Sequence, residues 1–301
     1  MTDTNHALEA DNLGRRYGRT WALRDCSFQL PSGRAAALVG PNGAGKTTLL
    51  HLAVGLLNPT TGSVRVFGAP PQSARPRVGF VAQDHPLYRN FSVAETLTLG
   101  RKLNPHWDDA LAKTRLQRLG VPLDRPVGKL SGGQQAQLAL TLALAKQPDL
   151  LLLDEPVASL DPLARRDFLR ALTEIGEEGR VTVLLSSHII ADLERVCDYL
   201  IILSAARVQL VGNISEIVRT HKRLTAASHR APGTIAGVAI VEEYSTPRQT
   251  QLLVRTDGPL SDPSWEVADV SLEEIVLAYL GQSSGMAAAR AADVAEMEVS
   301  Q

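Results

Sequence analysis

The residues most clearly suited to chemistry form a glycine-rich stretch that ends in lysine and threonine, with the spacing G-x-x-x-x-G-K-[ST]. Glycines let a backbone wrap phosphate oxygens closely, and free N–H groups at a helix start attract negative charge. Lys46 would bring positive charge to the outer phosphates, and the Thr47 hydroxyl would ligate Mg²⁺. The alternative is a chance glycine-rich turn before a helix. The predicted nucleotide-binding loop comprises Gly40, Pro41, Asn42, Gly43, Ala44, Gly45, Lys46, Thr47 and Thr48.

A second reactive position is a pair of acidic residues that follows the aliphatic run 150–153. A strand ending in Asp154 and Glu155 brings both carboxylates to the carboxyl edge of a sheet, where open α/β sheets bind ligands. Asp154 would hold Mg²⁺, because hard divalent cations prefer oxygen ligands, and Glu155 would polarise an attacking water. In isolation, acids at a strand end are explained equally well by contact with solvent. The phosphate loop upstream favours the functional interpretation.

Strands and helices must position these groups, and the hydrophobic pattern predicts them. Residues 35–40 form an apolar run before the glycine-rich loop, and apolar residues recur at helical spacing after it. Aliphatic runs at 150–154 and 181–187 each follow a helical pattern. Near-continuous aliphatic strands that alternate with helices predict a parallel sheet covered on both faces. The predicted fold class is therefore α/β.

A third motif, LSGGQ at residues 130–134, lies directly before a long predicted helix. On its own, a serine before two glycines is explained by capping of a helix. The chain also carries LLLLDEP downstream, SLDP at 159–162 and a single histidine after the next predicted strand. In this ordered set of motifs, the sequence resembles the ATPase subunits of ABC transporters. The resemblance covers approximately residues 8–220.

The resemblance implies a P-loop NTPase core with a mixed, largely parallel sheet, an N-terminal antiparallel β subdomain and an inserted helical subdomain. It implies ATP as substrate, Mg²⁺ as cofactor, and two subunits that close face to face around two ATP molecules. Each site would be completed by the opposite subunit's LSGGQ residues, since a helix N-terminus binds phosphate. The implied cross-dimer contacts are Ser131, Gly132, Gly133, Gln134 and Asp161.

Four further positions match the family pattern one by one. Tyr17 matches the aromatic residue that stacks on adenine, although it could be an ordinary tyrosine. Gln83 matches the glutamine that reaches Mg²⁺ and the attacking water, and His188 matches the histidine at the γ-phosphate, although a lone histidine is more often structural. Asp161 matches the interface aspartate, while Pro162 is equally explained as a helix start. The implied catalytic residues are Gln83, Glu155 and His188, and the implied magnesium ligands are Thr47, Gln83 and Asp154.

One position departs from the family pattern. Gln137, three residues after Gln134, stands where a basic residue is common. The departure leaves the serine and glycines of the motif intact, so a competent site is predicted. A nucleotide sensor without useful hydrolysis would need neither Glu155 nor His188, and this favours hydrolysis.

The hydrophobic pattern and local composition outside the motifs predict how the chain is divided into domains. The helical subdomain is assigned to about residues 86–146, within an ATPase domain over 1–220 that begins with a short flexible leader over 1–10. A small C-terminal α+β domain is assigned to 221–281, and the small and polar residues 282–301 are expected to form a disordered tail.

The charge balance, apolar runs and cysteines of the chain limit which partners and which cellular location are expected. The 301 residues carry 31 basic and 32 acidic side chains, so no nucleic-acid partner is expected. Apolar runs fall short of the roughly 18–20 residues of a membrane span, and the N-terminus has acids where a secretory signal has bases. Cys26 and Cys197 fit reduced packing thiols. A cytoplasmic protein, bound peripherally to the cytoplasmic face of the cell membrane, is expected.

The resemblance predicts an ATP-hydrolysing subunit that works with membrane-spanning subunits and with a second copy of itself or a related ATPase chain. The helix-like segment SLEEIVLAYLG at 271–281 resembles the C-terminal helix of bacterial exporter-type ATPases encoded apart from their membrane subunit. Export is therefore the expected direction. The alternative is a non-transport ABC ATPase that acts on ribosomes or DNA, but such proteins usually carry two cassettes, a coiled-coil insertion or a basic surface.

Overall fold

The computed structural model describes residues 6–177, 179–227, 238–258 and 263–281. The strands are β1 (His6–Tyr17), β2 (Thr20–Pro31), β3 (Ala35–Val39), β4 (Thr61–Val66), β5 (Val78–Val81), β6 (Leu150–Asp154), β7 (Thr182–Ser187), β8 (Tyr199–Ser204), β9 (Arg207–Asn213), β10 (His221–Ala227), β11 (Val238–Ser245), β12 (Gln249–Thr256) and β13 (Glu266–Asp269). The helices are α1 (Lys46–Ala53), α2 (Pro71–Ala74), α3 (Val93–Leu103), α4 (Asp109–Arg118), α5 (Gly132–Ala145), α6 (Pro162–Glu177), α7 (Ile190–Val196), α8 (Ile214–Thr220) and α9 (272–281). The tail predicted at 282–301 lies outside the described residues.

A six-stranded sheet in the order β5-β6-β7-β3-β8-β9 forms the centre of the protein. The first five strands of that order are mutually parallel, and β9 joins the edge in the antiparallel direction. Every residue of β3, β6 and β7 is buried, as expected when helices cover both faces of a parallel sheet. The predicted α/β fold with a largely parallel mixed sheet is confirmed.

A separate antiparallel sheet in the order β2-β1-β4 precedes and flanks this core. Its strands pack on α1 through a shared apolar cluster that includes Leu8, Leu13 and Leu49. The predicted N-terminal antiparallel subdomain is therefore present. The flexible leader expected over residues 1–10 is wrong from His6 onward, because β1 begins there, pairs with β2, and buries Leu8 completely.

The helical segment comprises α3, α4 and α5 and has an apolar cluster of its own. Val93, Leu97, Leu116 and Leu138 contribute to that cluster. Two of its helices begin with a capping box, in which a serine hydroxyl and the residue three positions later bond each other's backbone N–H groups. These reciprocal bonds define where the helices begin.

Residues from β10 onward form a second antiparallel sheet, in the order β11-β12-β10-β13, together with α9. Val241 of β11, Leu253 of β12 and Ile275 of α9 belong to the same buried apolar cluster as Leu151 and Leu153 of the central sheet. The C-terminal region is thus continuous with the core. None of the helices in the described ranges has the length and apolar character required to cross a membrane.

Candidate active site

The glycine-rich loop connects the central strand β3 to α1, as its sequence pattern predicts. Gly43 and Gly45 have φ angles of 80° and 106°, which L-residues with side chains adopt only under strain. A Cβ atom on Gly45 would lie 2.3 Å from the carbonyl oxygen of Ala22, and one on Gly40 would lie 2.1 Å from that of Leu203. Glycine is therefore required here both by backbone conformation and by close packing.

Lys46 is the first residue of α1, and its side chain is only 6% exposed. Its Nζ donates hydrogen bonds to the carbonyl oxygens of Gly40, at 2.8 Å, and Pro41, at 3.3 Å. The same atom lies 3.2 Å from Oε1 of Glu155. A buried ammonium needs such acceptors, and these three hold its charge beside the loop backbone.

The acidic residues Asp154 and Glu155 lie at the end of β6. This strand pairs with β7, which in turn pairs with β3, the strand before the phosphate loop. Asp154 is 1% exposed, and its Oδ1 accepts a 2.8 Å hydrogen bond from Oγ of Ser186. The same Ser186 oxygen accepts a 2.8 Å hydrogen bond from the backbone N–H of Glu155. Ser186 faces Asp154 in the parallel register of β6 and β7, so one hydroxyl positions both acidic residues.

Ser186 was not among the predicted site residues. The available signal was the pair of serines that ends the aliphatic run at 181–187, where a fully apolar strand would otherwise continue. Only the parallel pairing of β6 with β7 reveals that one of these hydroxyls meets Asp154.

Glu155 links the loop to the strand end of β7. Its Oε2 lies 3.0 Å from Nδ1 of His188, while its Oε1 contacts Lys46. The Glu155 side chain is 11% exposed and that of His188 is 52% exposed, so the pair lies at the border between core and solvent. Glu155 also has a positive φ of 43°, a strained conformation of the kind that clusters at functional sites. The structure thus brings Lys46, Asp154, Glu155 and His188 into one connected group.

Three other predicted residues lie on exposed parts of the same region. Thr47 is exposed in the first turn of α1, and Gln83 is exposed in the turn after β5. Tyr17 ends β1 with 48% of its surface exposed, and the Arg15 guanidinium lies 4.9 Å from the centre of its ring. Within the described ranges, neither Tyr17 nor Gln83 has a hydrogen bond or ion pair to Glu155.

The LSGGQ residues form a separate group at the start of α5. Ser131 accepts a hydrogen bond from the backbone of Gln134, whose side chain in turn accepts one from the backbone N–H of Ser131. A Cβ on Gly132 would have no atom within 4 Å among the described residues beyond its own helix turn, whereas a Cβ on Gly133 would lie 2.7 Å from Cβ of Ala164 in α6. One glycine therefore faces open space and the other permits close helix packing.

Asp161 stands immediately before α6, and its Oδ1 accepts hydrogen bonds of 3.0 Å from the backbone N–H groups of Leu163 and Ala164. This arrangement caps the helix, and Pro162 is its first residue. The described contacts therefore give Asp161 and Pro162 a structural task at the start of α6.

Comparison with known proteins identifies a family. The protein-family model described as "ABC transporter" matches residues 23–158 of this chain. The sulfate/thiosulfate import ATP-binding protein CysA of Yersinia pseudotuberculosis is 33% identical over 225 residues, which is 71% of this chain and 62% of that protein. The Nod factor export ATP-binding protein I of Sinorhizobium fredii is 38% identical over 218 residues, 68% of this chain and 62% of that protein. The chain thus spans somewhat less than two thirds of the length of these relatives.

Solved structures give the same result at the level of the fold. A structure of an ATP-binding subunit of an ABC transporter is 30% identical, with a TM-score of 0.64 over 71% of this chain and 92% of that one. The structure of cbiO1 from Clostridium perfringens, part of the ABC transporter complex cbiONQ, is 28% identical, with a TM-score of 0.62 over 71% of this chain and 90% of that one. With the phosphate loop, the acidic strand end and the LSGGQ turn in place, these matches show that the chain belongs to the ATP-binding subunits of ABC transporters.

Proposed function

We propose that this chain binds ATP with Mg²⁺, hydrolyses it, and thereby powers a transporter whose membrane-spanning parts are separate chains. The observation that carries the proposal is the position of Glu155, 3.2 Å from Nζ of Lys46 and 3.0 Å from Nδ1 of His188. Phosphoryl transfer to water needs a phosphate-binding cation and a group that orients the water, and this arrangement has both within one contact network.

The residues divide the task between binding and orientation. The backbone N–H groups of residues 40–48 and the N-terminus of α1 receive the phosphates, and Lys46 adds a localised positive charge. Glu155 accepts a hydrogen bond from the attacking water, while His188 holds the Glu155 carboxylate in place through its contact with Oε2. Ser186 keeps the Glu155 backbone fixed against β7. Tyr17, with half of its surface exposed, offers a ring face to adenine.

The donors expected for Mg²⁺ fit that ion by their chemistry. Thr47 offers a hydroxyl, Asp154 a carboxylate and Gln83 an amide carbonyl, and hard Mg²⁺ prefers such oxygen ligands together with water and phosphate oxygens. Asp154 uses one carboxylate oxygen for Ser186 and keeps acceptor capacity on the other. When bound, Mg²⁺ would neutralise charge on the phosphates.

A second copy of the chain, or a related ATPase chain, would supply the LSGGQ residues to this site. Supporting this, Ser131 and Gly132 are exposed at the N-terminus of α5, where helix N–H groups and the dipole favour a phosphate. Gly133 lets that helix start lie close to Ala164 of α6, Gln134 completes the capping box of α5, and Asp161 caps α6. All three would act at the same interface.

Export through a partner at the cytoplasmic face of the cell membrane is the direction we propose. The 38% identity to a Nod factor export protein supports it, whereas the sulfate relatives, at 33–35% identity, are import proteins. Cassettes of this type therefore serve both directions. The direction needs its own measurement, which is ATP-driven uptake into inside-out membrane vesicles containing the chain and its membrane partner. Uptake indicates export, and ATP-driven release of preloaded substrate indicates import.

The hydrolytic role is tested by Glu155→Gln, which preserves shape and removes the negative charge. We expect ATP turnover to fall about a hundredfold or more, with ATP binding retained, since general-base catalysis typically contributes ~10²–10⁴-fold. The matched control is Glu194→Gln, an exposed acid on α7, which should leave turnover unchanged. Near-normal turnover in Glu155→Gln would refute the proposed role.

The transport role is tested by co-purification from the native cell in mild detergent, followed by mass spectrometry. Recovery of a multi-span membrane protein supports transport. Recovery of ribosomes or DNA-associated factors without any membrane protein keeps the ATPase assignment and overturns the transporter one.

A further inference from the structure

A cleft of about 810 Å³ lies between the helical segment and the core, away from the phosphate loop. Its walls come from α4, the end of α5, α6 and the loop 147–149. Volumes of about 300–1,000 Å³ are typical of small-molecule sites, which combine apolar walls with a few polar groups. The apolar side chains that line the cleft are Leu111, Leu119, Leu144, Ala171, Ile175 and Val181.

The acidic side chains in the cleft already have partners. Asp149 accepts a hydrogen bond from Arg77 at 2.5 Å, and Asp108 accepts one from the backbone N–H of Leu111 at 2.8 Å. Asp167 and Glu174 both lie within 4.0 Å of the Arg170 guanidinium. Arg180 also lines the cleft and makes contacts of its own. Within the described ranges, the cations of the cleft that remain without such a partner are the two arginines of α4, Arg115 and Arg118.

Arg115 is a half-buried cation that forms no ion pair with any described residue. Its Nη2 donates a 3.0 Å hydrogen bond to Oε1 of Gln137, which is 6% exposed, and its Nε is buried with no hydrogen-bond partner among the described residues. Burial lowers the pKa of Arg115, while the charge of Glu174 acts in the opposite direction without an ion pair between them. Buried charges are ordinarily paired, and Arg115 lines the cleft without an ion pair among the described residues, so an anion in the cleft can pair its charge.

Arg118 lies one turn further along α4, is exposed, and lines the same cleft. It forms no ion pair within the described part of the chain. Residues three apart share a helix face, so Arg115 and Arg118 offer two guanidinium groups to one occupant. We propose that the cleft binds a small organic carboxylate, whose charge contacts Arg115 and Arg118 and whose apolar body packs against the lining leucines.

The probe for this site is 2-naphthoate, with neutral 2-naphthalenemethanol as its uncharged counterpart. Titrations use the full chain with methyl-labelled leucines in saturating ADP, which separates this cleft from the phosphate loop. We expect the methyl signals of Leu119 and Leu144 to shift, those of Leu49 beside the phosphate loop to stay, and the neutral compound to bind at least tenfold more weakly.

Arg118→Met should weaken naphthoate binding about tenfold, since a charge-assisted hydrogen bond contributes roughly that factor. Arg115→Met should do the same, and Arg115→Lys should retain most of the affinity. If Arg115→Met does not fold, Arg118→Met still tests the site because its side chain is exposed. Arg101→Met, an exposed arginine of α3 outside the cleft, is the matched control and should bind like the unaltered chain.

Three results would overturn the proposal: no leucine shift at millimolar naphthoate, equal binding of the neutral compound, or unchanged affinity in Arg118→Met. The assay measures binding alone, so its outcome is independent of ATP turnover.

Discussion

The phosphate loop and the LSGGQ turn contain the same types of residue, but different contacts fix their conformations. Each lies at the start of a helix and combines glycines with a hydroxyl residue. In the phosphate loop, the backbone of Ala22 closes on Gly45, and Lys46 is buried against Glu155. In the LSGGQ turn, Ser131 caps its own helix and Gly132 faces open space.

The comparison teaches that similar motifs can be constrained by different forces. Packing within the chain restricts Gly40 and Gly45 of the phosphate loop, so these two glycines are needed for the fold itself. Local capping determines where the helix after LSGGQ begins, and no described residue outside that turn lies within 4 Å of the Cβ position of its first glycine. This difference agrees with the proposal that the turn acts on a nucleotide held by another subunit.

The largest expected effect is that of Gly45→Ala. The new methyl group would meet the Ala22 carbonyl at 2.3 Å in a residue with φ of 106°, so strain and overlap should lower the free energy of unfolding by about 3 kcal/mol. ATP binding should be lost with it. Gly43→Ala is the matched control: its φ is also positive, but its Cβ has no neighbour within 4 Å in the described part of the chain, so a loss of about 1 kcal/mol is expected. Urea denaturation measures both, and equal losses would contradict packing as the cause.

The next effect concerns the connection between the acidic residues. Ser186→Ala removes a buried hydroxyl that serves both Asp154 and the backbone of Glu155, which should lower the free energy of unfolding by about 2 kcal/mol. ATP turnover should fall about tenfold because the carboxylate loses its backbone anchor. Ser187→Ala alters the neighbouring hydroxyl, which among the described residues accepts a hydrogen bond only from the backbone N–H of Ile189, and should spare turnover. An unaffected turnover in Ser186→Ala would show that β6 alone positions the acids.

A smaller effect separates capping from function. Ser131 and Ser92 are both N-caps in capping boxes, one on α5 and one on α3. Replacing either with alanine should lower the free energy of unfolding by about 1 kcal/mol. Only Ser131→Ala should also reduce ATP turnover, because only this hydroxyl is proposed to contact a nucleotide. Equal turnover in the two variants would indicate that Ser131 is merely a cap.

The smallest stability effect is expected for Gly132→Ala, at the first position of α5. The added methyl lies more than 4 Å from every described atom outside its own helix turn, and alanine suits a helix better than glycine. The free energy of unfolding should therefore stay constant or rise by up to about 1 kcal/mol. Turnover should nevertheless fall, since a methyl group would obstruct close approach of a phosphate from the second subunit. Full ATP turnover in Gly132→Ala would contradict the proposal that this glycine approaches a phosphate held by a second subunit.

The sequence was sufficient to locate both motifs because their physics is local. A strand, a glycine-rich loop and a helix follow one another directly at residues 35–53, and the capping box needs only the residues from 131 to 134. The fold class followed from aliphatic runs that alternate with helical patterns. The leader expected over residues 1–10 failed because burial of Leu8 depends on the distant strand β4, which no local pattern shows.

The sequence by itself therefore predicted the candidate phosphate-binding residues, the helices that follow the two glycine motifs and a largely parallel sheet, since spacing, capping and periodicity act over a few residues. Only the tertiary structure decided that Ser186 meets Asp154, that Lys46 reaches Glu155, and that the C-terminal sheet shares the central core. These contacts join residues far apart in the chain. They follow from the strand order β5-β6-β7-β3-β8-β9, which is set by packing of the whole domain rather than by any single segment.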